Sequence, residues 1–134
     1  MGTKTATLGV RLPEGTCATI RQISASRGRT PSDLLAEYAE EIARRHRFCH
    51  IEFRDTPLGR IAYVEGTRSA VWLVADLVRQ NKGDVRKTAR LHGWPETKVR
   101  AAVNYTEAYP EEIEPLIERA RNMTEAALRQ LNAA

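Results

Sequence analysis

Four residues within the stretch 84–105 constrain the fold more than any other feature of the chain. Ala89 is followed four residues later by Gly93, and Val99 and Ala102 come ten and thirteen residues after Ala89. A small side chain allows two helices to pack closely, and glycine adopts the positive φ of a tight turn at the lowest cost. Val99 and Ala102 are three residues apart and therefore share one helix face. The stretch predicts two helices joined by a tight turn.

The same spacing is typical of a DNA-binding helix-turn-helix, in which the second helix enters the major groove. In that arrangement the second helix presents six residues to the groove: Pro95, Glu96, Thr97, Arg100, Ala101 and Asn104. Three of them are DNA-binding candidates, because their side chains suit base edges or phosphates: Thr97, Arg100 and Asn104.

The residues around these candidates are mostly basic. Four of them can contact the phosphate backbone: Arg86, Lys87, Arg90 and Lys98. Glu96 is unfavourable beside phosphate, although a carboxylate can accept a hydrogen bond from cytosine N4. A plain helical hairpin with a glycine turn has the same spacing, and such a hairpin would dock on a protein or dimerise instead.

The first predicted module, residues 1–47, opens with an alternating segment. Its inward positions are apolar: Leu8, Val10 and Leu12. Its outward positions are small or polar: Thr5, Thr7, Gly9 and Arg11. This alternation predicts a half-buried strand, which Pro13 ends. Two helices are predicted to follow; the second begins with Thr30 as its N-cap and carries Glu41 and Arg44 on its charged side.

A single strand has no pairing partner within its own module, and about 44 residues bury little apolar surface alone. We therefore expect two copies of the chain to pair these strands antiparallel. The predicted dimer interface contains six residues: Leu8, Val10, Leu12, Leu34, Leu35 and Tyr38. The alternative is a strand whose outward residues are only solvated.

The segment from Thr7 to about Arg47 resembles the ribbon-helix-helix fold of the Arc and MetJ class of repressors. The resemblance rests on the strand ending in R-L-P, the helix after it, and G-R-T-P-S-D at the second helix start. It implies an intertwined dimer whose two-stranded ribbon enters the major groove.

The same resemblance implies which residues contact DNA. Thr7, Gly9 and Arg11 would face the bases, and backbone N–H groups from Thr30 to Ser32 would bind phosphate. Thr5, the outward position before the matched segment, is a further DNA-binding candidate from the alternation itself. Arg11 is the main specificity candidate, because its guanidinium can pair with guanine O6 and N7. Gly9 departs from the family pattern, since it offers no side chain and fewer bases are read.

The second predicted module comprises residues 48–134. A short β-hairpin is predicted from IEFRD to RIAYV around the turn TPLG. A helix over 70–80 follows, with Thr67 or Ser69 as its cap, and then comes the helix-turn-helix pair. A last amphipathic helix starts near Glu111, and its apolar stripe either packs on its own domain or binds a partner. The partner-binding candidates are Ile117, Leu128 and Leu131.

This module is similar to a small bacterial domain that occurs in VapB-type antitoxins beside PIN-like toxins. The similarity spans Ile51 to about Glu112. Its motif residues are Gly66, Thr67, Arg68, Val71, Trp72, Val99, Ala102, Val103 and Tyr105. The resemblance implies an antitoxin that holds a PIN-like ribonuclease inactive and represses its own operon.

Charge is distributed unevenly along the chain. Residues 1–54 and 55–110 each carry nine Lys or Arg against six Asp or Glu, whereas residues 111–134 carry three against five. A basic body suits phosphate contacts, although so mild an excess equally serves solubility. Two cysteines are too few for a disulfide framework, and neither a signal peptide nor an apolar run of about 20 residues is present. A cytoplasmic protein with no membrane partner is therefore expected.

The sequence holds no motif that is typical of an enzyme. The H-x-x-C-H sequence at 46–50 lacks the paired ligand spacing of structural zinc. There is no Gly-rich phosphate loop, and no Ser or Cys has a histidine at a suggestive spacing. We expect no catalytic residues, no metal, no cofactor and no enzymatic activity.

These observations predict a mainly α protein with short β-structure, in which a ribbon-helix-helix module precedes a β-hairpin and helix-turn-helix domain. The predicted function is a VapB-like antitoxin that binds double-stranded operator DNA as a homodimer or higher homo-oligomer and neutralises a PIN-like ribonuclease toxin. The alternative is a stand-alone DNA-binding repressor without a toxin partner. A third reading is an interaction module that binds DNA weakly and without sequence preference.

Overall fold

The computed structural model describes residues 4–133 and is mainly helical, with one antiparallel hairpin, as predicted. Its elements in chain order are α1 (Glu14–Ser26), α2 (Pro31–Arg47), β1 (Ile51–Thr56), β2 (Gly59–Val64), α3 (Val71–Gln80), α4 (Val85–His92), α5 (Glu96–Ala108) and α6 (Pro110–Ala133). The chain divides into two compact units, the first ending at Glu40 and the second beginning at Glu41.

The boundary between the units lies within α2, not at residue 47 as the sequence analysis placed it. The reason is that the last turns of α2 carry side chains that interact within the second unit. Glu41 is buried and its Oε2 accepts a hydrogen bond from Arg60 Nε at 2.9 Å. Arg44 Nη1 donates to the Tyr105 hydroxyl at 2.8 Å. Both residues were predicted to lie on a solvated face.

The first unit contains α1 and the start of α2. Thr30 caps α2 as predicted, because its Oγ1 accepts a hydrogen bond from the Asp33 N–H at 3.1 Å. Leu34 and Ser24 are both buried within the single chain. Leu35 is exposed and Tyr38 is half-buried.

No strand is present between residue 4 and Pro13, in contrast to the alternating pattern of the sequence. A strand exists through hydrogen bonds to a neighbouring strand, and within the described residues the only ladder joins β1 to β2. The inward positions of the segment are accordingly open to solvent: Leu8 is 88 % exposed and Val10 is 66 % exposed, while Leu12 is half-buried.

The second unit begins with the hairpin. Its register runs from Ile51 opposite Val64 to Thr56 opposite Gly59, so the loop between the strands is Pro57-Leu58. Gly59 follows with a φ of 100°, a backbone conformation that residues with a side chain rarely adopt. Each strand is one residue longer at the turn than predicted.

The core of the second unit lies between the hairpin and α3, α5 and α6. Ile51, Ala62 and Val64 face it from the hairpin, and α3 supplies Val71 and Val74. The other buried members are Ala75, Val78, Ala89, Val99, Ala101, Ala102, Tyr105, Ile113 and Ile117. α5 contacts β2, α3, α4 and α6 and is therefore the central helix of the unit.

The start of α3 differs from the sequence prediction. Neither Thr67 nor Ser69 caps the helix; Ala70 is the N-cap and makes no side-chain hydrogen bond. The Thr67 hydroxyl instead donates to the Val64 carbonyl at 2.8 Å and accepts from the Ser69 N–H at 3.1 Å. Thr67 thus holds the loop between β2 and α3.

Across residues 4–133, no helix combines the length and the apolar character needed to cross a membrane.

Candidate nucleic-acid interface

The turn between α4 and α5 has the geometry that the sequence predicts. Asp84 caps α4, and its carboxylate accepts a hydrogen bond from the Lys87 N–H at 2.9 Å. Gly93 ends α4 in the left-handed conformation, with a φ of 68°. The Gly93 and Trp94 N–H groups both donate to the Ala89 carbonyl, so the end of the helix is satisfied.

The inner face of the helix pair is closed. Ala89, Val99 and Ala102 are all buried, which confirms their predicted positions. Thr88 is buried as well, and its hydroxyl donates to the Asp84 carbonyl at 2.8 Å while accepting from Asn81 Nδ2 at 3.1 Å. This contact was not predicted, because a threonine among charged residues gives no signal of burial.

The outer face of α5 is polar. Thr97, Arg100 and Asn104 are all exposed, and their spacing of three and four residues places them on one side of the helix. Ala101 was predicted to face the groove as well, and that prediction is wrong. It is buried in the core of the unit, because the central position of α5 covers more than one of its faces.

The four basic residues that flank the candidates differ in their exposure. Arg86, Lys87 and Arg90 of α4 are exposed. Lys98 is half-buried, and its ammonium group donates to the Glu65 carbonyl at 2.8 Å. Lys98 therefore ties α5 to the loop after β2, and its ammonium group is engaged there instead of being open to phosphate.

Glu96 connects the two helices of the pair. Its Oε1 lies 3.3 Å from Arg100 Nη2 on its own helix and 3.6 Å from Arg86 Nε on α4. Within the turn, the His92 ring stacks on Trp94, with 4.8 Å between ring centroids and an interplanar angle of 22°. Trp94 packs partly against the core, as expected of a turn residue.

A partly buried polar cluster supports the C-terminal end of α5. The Tyr105 hydroxyl donates to Glu112 Oε2 at 2.6 Å, and Arg44 Nη1 contacts Glu112 Oε1 at 2.7 Å in addition to that hydroxyl. Burial, followed by the hydrogen bond to Glu112, raises the pKa of Tyr105 above its ordinary value. Arg44 also lies over the Tyr109 ring, 3.9 Å from its centroid. The cluster joins α2, α5 and α6.

The candidates of the first unit are exposed. The outward positions are Thr5, Thr7, Gly9 and Arg11, and the residues at the start of α2 are Thr30 and Ser32. The Thr30 side chain is engaged in capping.

The three partner-binding candidates on α6 divide between core and surface. Ile117 is 2 % exposed and belongs to the core, so its assignment as a partner contact is wrong. It shares the apolar stripe with residues further along, but its turn of α6 packs within its own unit. Leu128 is 54 % and Leu131 is 74 % exposed, and Met123, which the sequence analysis did not single out, is exposed too.

Among the described residues, no group of three His, Cys, Asp or Glu side chains is placed to hold a metal ion. Comparison of the chain with protein-family models, with curated proteins and with solved structures found no match.

Proposed function

We propose that this chain is a VapB-like antitoxin that binds operator DNA as a dimer, represses its own operon and neutralises a PIN-like ribonuclease. The observation that carries the DNA-binding part is the helix-turn-helix pair of the second unit. It combines a left-handed glycine turn, a closed inner face and an open polar face on α5.

The polar face of α5 suits base edges. Arg100 offers a guanidinium to guanine, Asn104 offers an amide to adenine, and Thr97 can contact either. The exposed cations of α4 are positioned on the preceding helix, which in this motif crosses the phosphate backbone. Phosphate contacts by Arg86, Lys87 and Arg90 would fix the register, and the side chains of α5 would read the sequence.

Dimerisation through residues 4–12 is supported by the exposure of Leu8 and Val10. Large apolar side chains so open to water are stabilised when a second copy covers them. An antiparallel pair of these segments would also satisfy backbone groups that have no ladder partner within the described chain.

Toxin binding is supported by the distal part of α6. Met123, Leu128 and Leu131 are exposed along the last turns of this helix. An amphipathic helix with its apolar face uncovered fits a hydrophobic groove on a partner protein. The proposed occupant of this face is the PIN-like toxin.

Fluorescence anisotropy tests the DNA-binding part, with the DNA upstream of the coding sequence compared against random DNA at matched salt. We expect a preference on the order of 10³ or more. Arg100→Ala should weaken specific binding by about 1–3 kcal/mol. Arg129→Ala is the matched control, because Arg129 is also exposed and also paired with a glutamate four residues earlier. Equal effects of the two variants, or a wild-type protein without preference, would contradict the proposal.

Co-expression with the product of an adjacent PIN-like gene tests the toxin part. A variant carrying Leu128→Ser and Leu131→Ser should lose inhibition of the ribonuclease and keep its affinity for operator DNA. Full inhibition by this variant would contradict the assignment of the distal helix. The absence of any adjacent toxin gene, together with specific DNA binding, would favour the stand-alone repressor.

A further inference from the structure

At the N-terminus of α5, the candidate recognition helix, one oxygen of the Glu96 carboxylate lies between two arginine side chains. Glu96 is the first residue of α5, and its Oε1 is within 3.3 Å of Arg100 Nη2 and 3.6 Å of Arg86 Nε. The two guanidinium groups belong to the residues that we assign to base and phosphate contact. Glu96 thus neutralises in part the cations on which DNA binding depends.

Both ion pairs are open to solvent. The Arg86 side chain is 84 % exposed and that of Arg100 is 58 % exposed, so each guanidinium can exchange Glu96 for another anion. Phosphate is such an anion, and it competes directly with the carboxylate. An arginine that leaves Glu96 for phosphate exchanges one ion pair for another, and the salt dependence of binding is correspondingly shallow.

The position of the Glu96 carboxylate is also stabilised by an interaction that involves neither arginine. It lies in the first turn of α5, where a negative side chain interacts favourably with the helix dipole. When the arginines turn to DNA, the carboxylate remains at the end of the helix that points into the groove. There it faces repulsion from the phosphate backbone.

We propose that Glu96 is a specificity-determining residue, which opposes binding to any duplex that offers it no donor. The donor that matches a carboxylate in the major groove is the N4 amino group of cytosine. A site with cytosine at this position offsets the repulsion, and other sites do not. This inference rests on the proposed DNA-binding function and adds to it a mechanism of rejection.

Glu96→Gln tests the inference, with operator and random DNA titrated over a range of salt concentrations. Removing one charge about 4 Å from a phosphate should tighten random-DNA binding by about fivefold. The slope of log affinity against log salt should steepen by about 1, because the substitution removes the carboxylate that takes the place of a counterion beside Arg86 and Arg100. The ratio of operator to random affinity should fall. Glu96→Asp keeps the charge and should keep most of that ratio.

Glu107→Gln is the matched control, since it makes the same change at an exposed position eleven residues further along α5. It should leave the ratio and the slope unchanged. If Glu96→Gln weakens both DNAs equally, Glu96 only stabilises the helix and the inference is overturned. An unchanged ratio and slope overturn it too, while the wild-type preference still upholds the proposed function. A wild-type protein with no preference overturns both.

Discussion

Substitution of Gly93 by alanine measures the free-energy cost of the turn's backbone conformation without a contribution from side-chain packing. A Cβ built at Gly93 meets no atom within 4 Å, so the added methyl group causes no clash. The cost therefore comes from the φ of 68°, which an L-residue adopts at about 1–2 kcal/mol. Alanine also lowers the conformational entropy of the unfolded chain, which stabilises the folded state by about 0.4–1 kcal/mol. We expect a net loss of about 1 kcal/mol.

Urea unfolding followed by tryptophan fluorescence measures this loss, because Trp72 and Trp94 both lie in the second unit. With an m value of about 2 kcal/mol/M, the midpoint should fall by about 0.5 M while m stays constant. Gly93→Asn is the control, since asparagine tolerates the left-handed region better than alanine and should recover part of the loss. An unchanged midpoint for Gly93→Ala, or an equal loss for both variants, would refute the reasoning.

Three further predictions concern the core cluster, a surface ion pair and the dimer. Tyr105→Phe should destabilise by about 1–3 kcal/mol, because it removes two hydrogen bonds to charged groups from a buried site while keeping the ring; a smaller loss in urea unfolding would contradict this. The hydrogen bond from Arg79 lowers the pKa of Glu114 below its ordinary 4.5, so this pair stabilises the fold above that pH and the stabilisation is lost as pH falls through the lowered value. Because both side chains are more than a third exposed, Glu114→Gln should cost at most about 1 kcal/mol at pH 7 and less at pH 2; an equal cost at both pH values would disprove the assignment. Leu12→Asp should yield a monomer by light scattering, and a variant that stays dimeric would place the dimer interface elsewhere.

The helix pair was predictable because its determinants are local. Ala89, Gly93, Val99 and Ala102 act through their spacing along 14 residues, and the turn and inner face follow from that spacing alone. The same spacing does not reveal how many neighbours a helix has. Ala101 was misplaced for that reason, since α5 packs on several elements and buries a wider face than a two-helix pattern implies.

Long-range charge pairs were not predictable. Arg44 and Glu112 are 68 residues apart in the chain, and nothing in either neighbourhood marks them as partners. On a helical pattern a charged residue is ordinarily placed in solvent, and Glu41 was placed there too. Glu41 is buried, and Arg44 and Glu112 are partly buried, because the hairpin and α6 meet the end of α2, which is a property of the whole unit.

The alternating segment before Pro13 is a different case. Its pattern predicts a strand, but pairing requires a second strand that residues 4–133 of one chain do not supply. The antiparallel pairing therefore stays a prediction, and the light-scattering measurement on Leu12→Asp addresses it. DNA contact by Thr97, Arg100 and Asn104 likewise stays a prediction, which the anisotropy measurement on Arg100→Ala tests.

The position of the unit boundary inside α2 decides how this protein can be divided. A fragment that starts at residue 48, where the sequence pattern changes, would leave Arg60 without Glu41 and the Tyr105–Glu112 pair without Arg44. The fragment would also lose the contact of Arg44 with the Tyr109 ring, so it should be less stable than one that begins at Glu41. Exchange of the second unit between proteins by recombination would carry the same requirement. A transferred segment must therefore include the second half of α2 together with the hairpin.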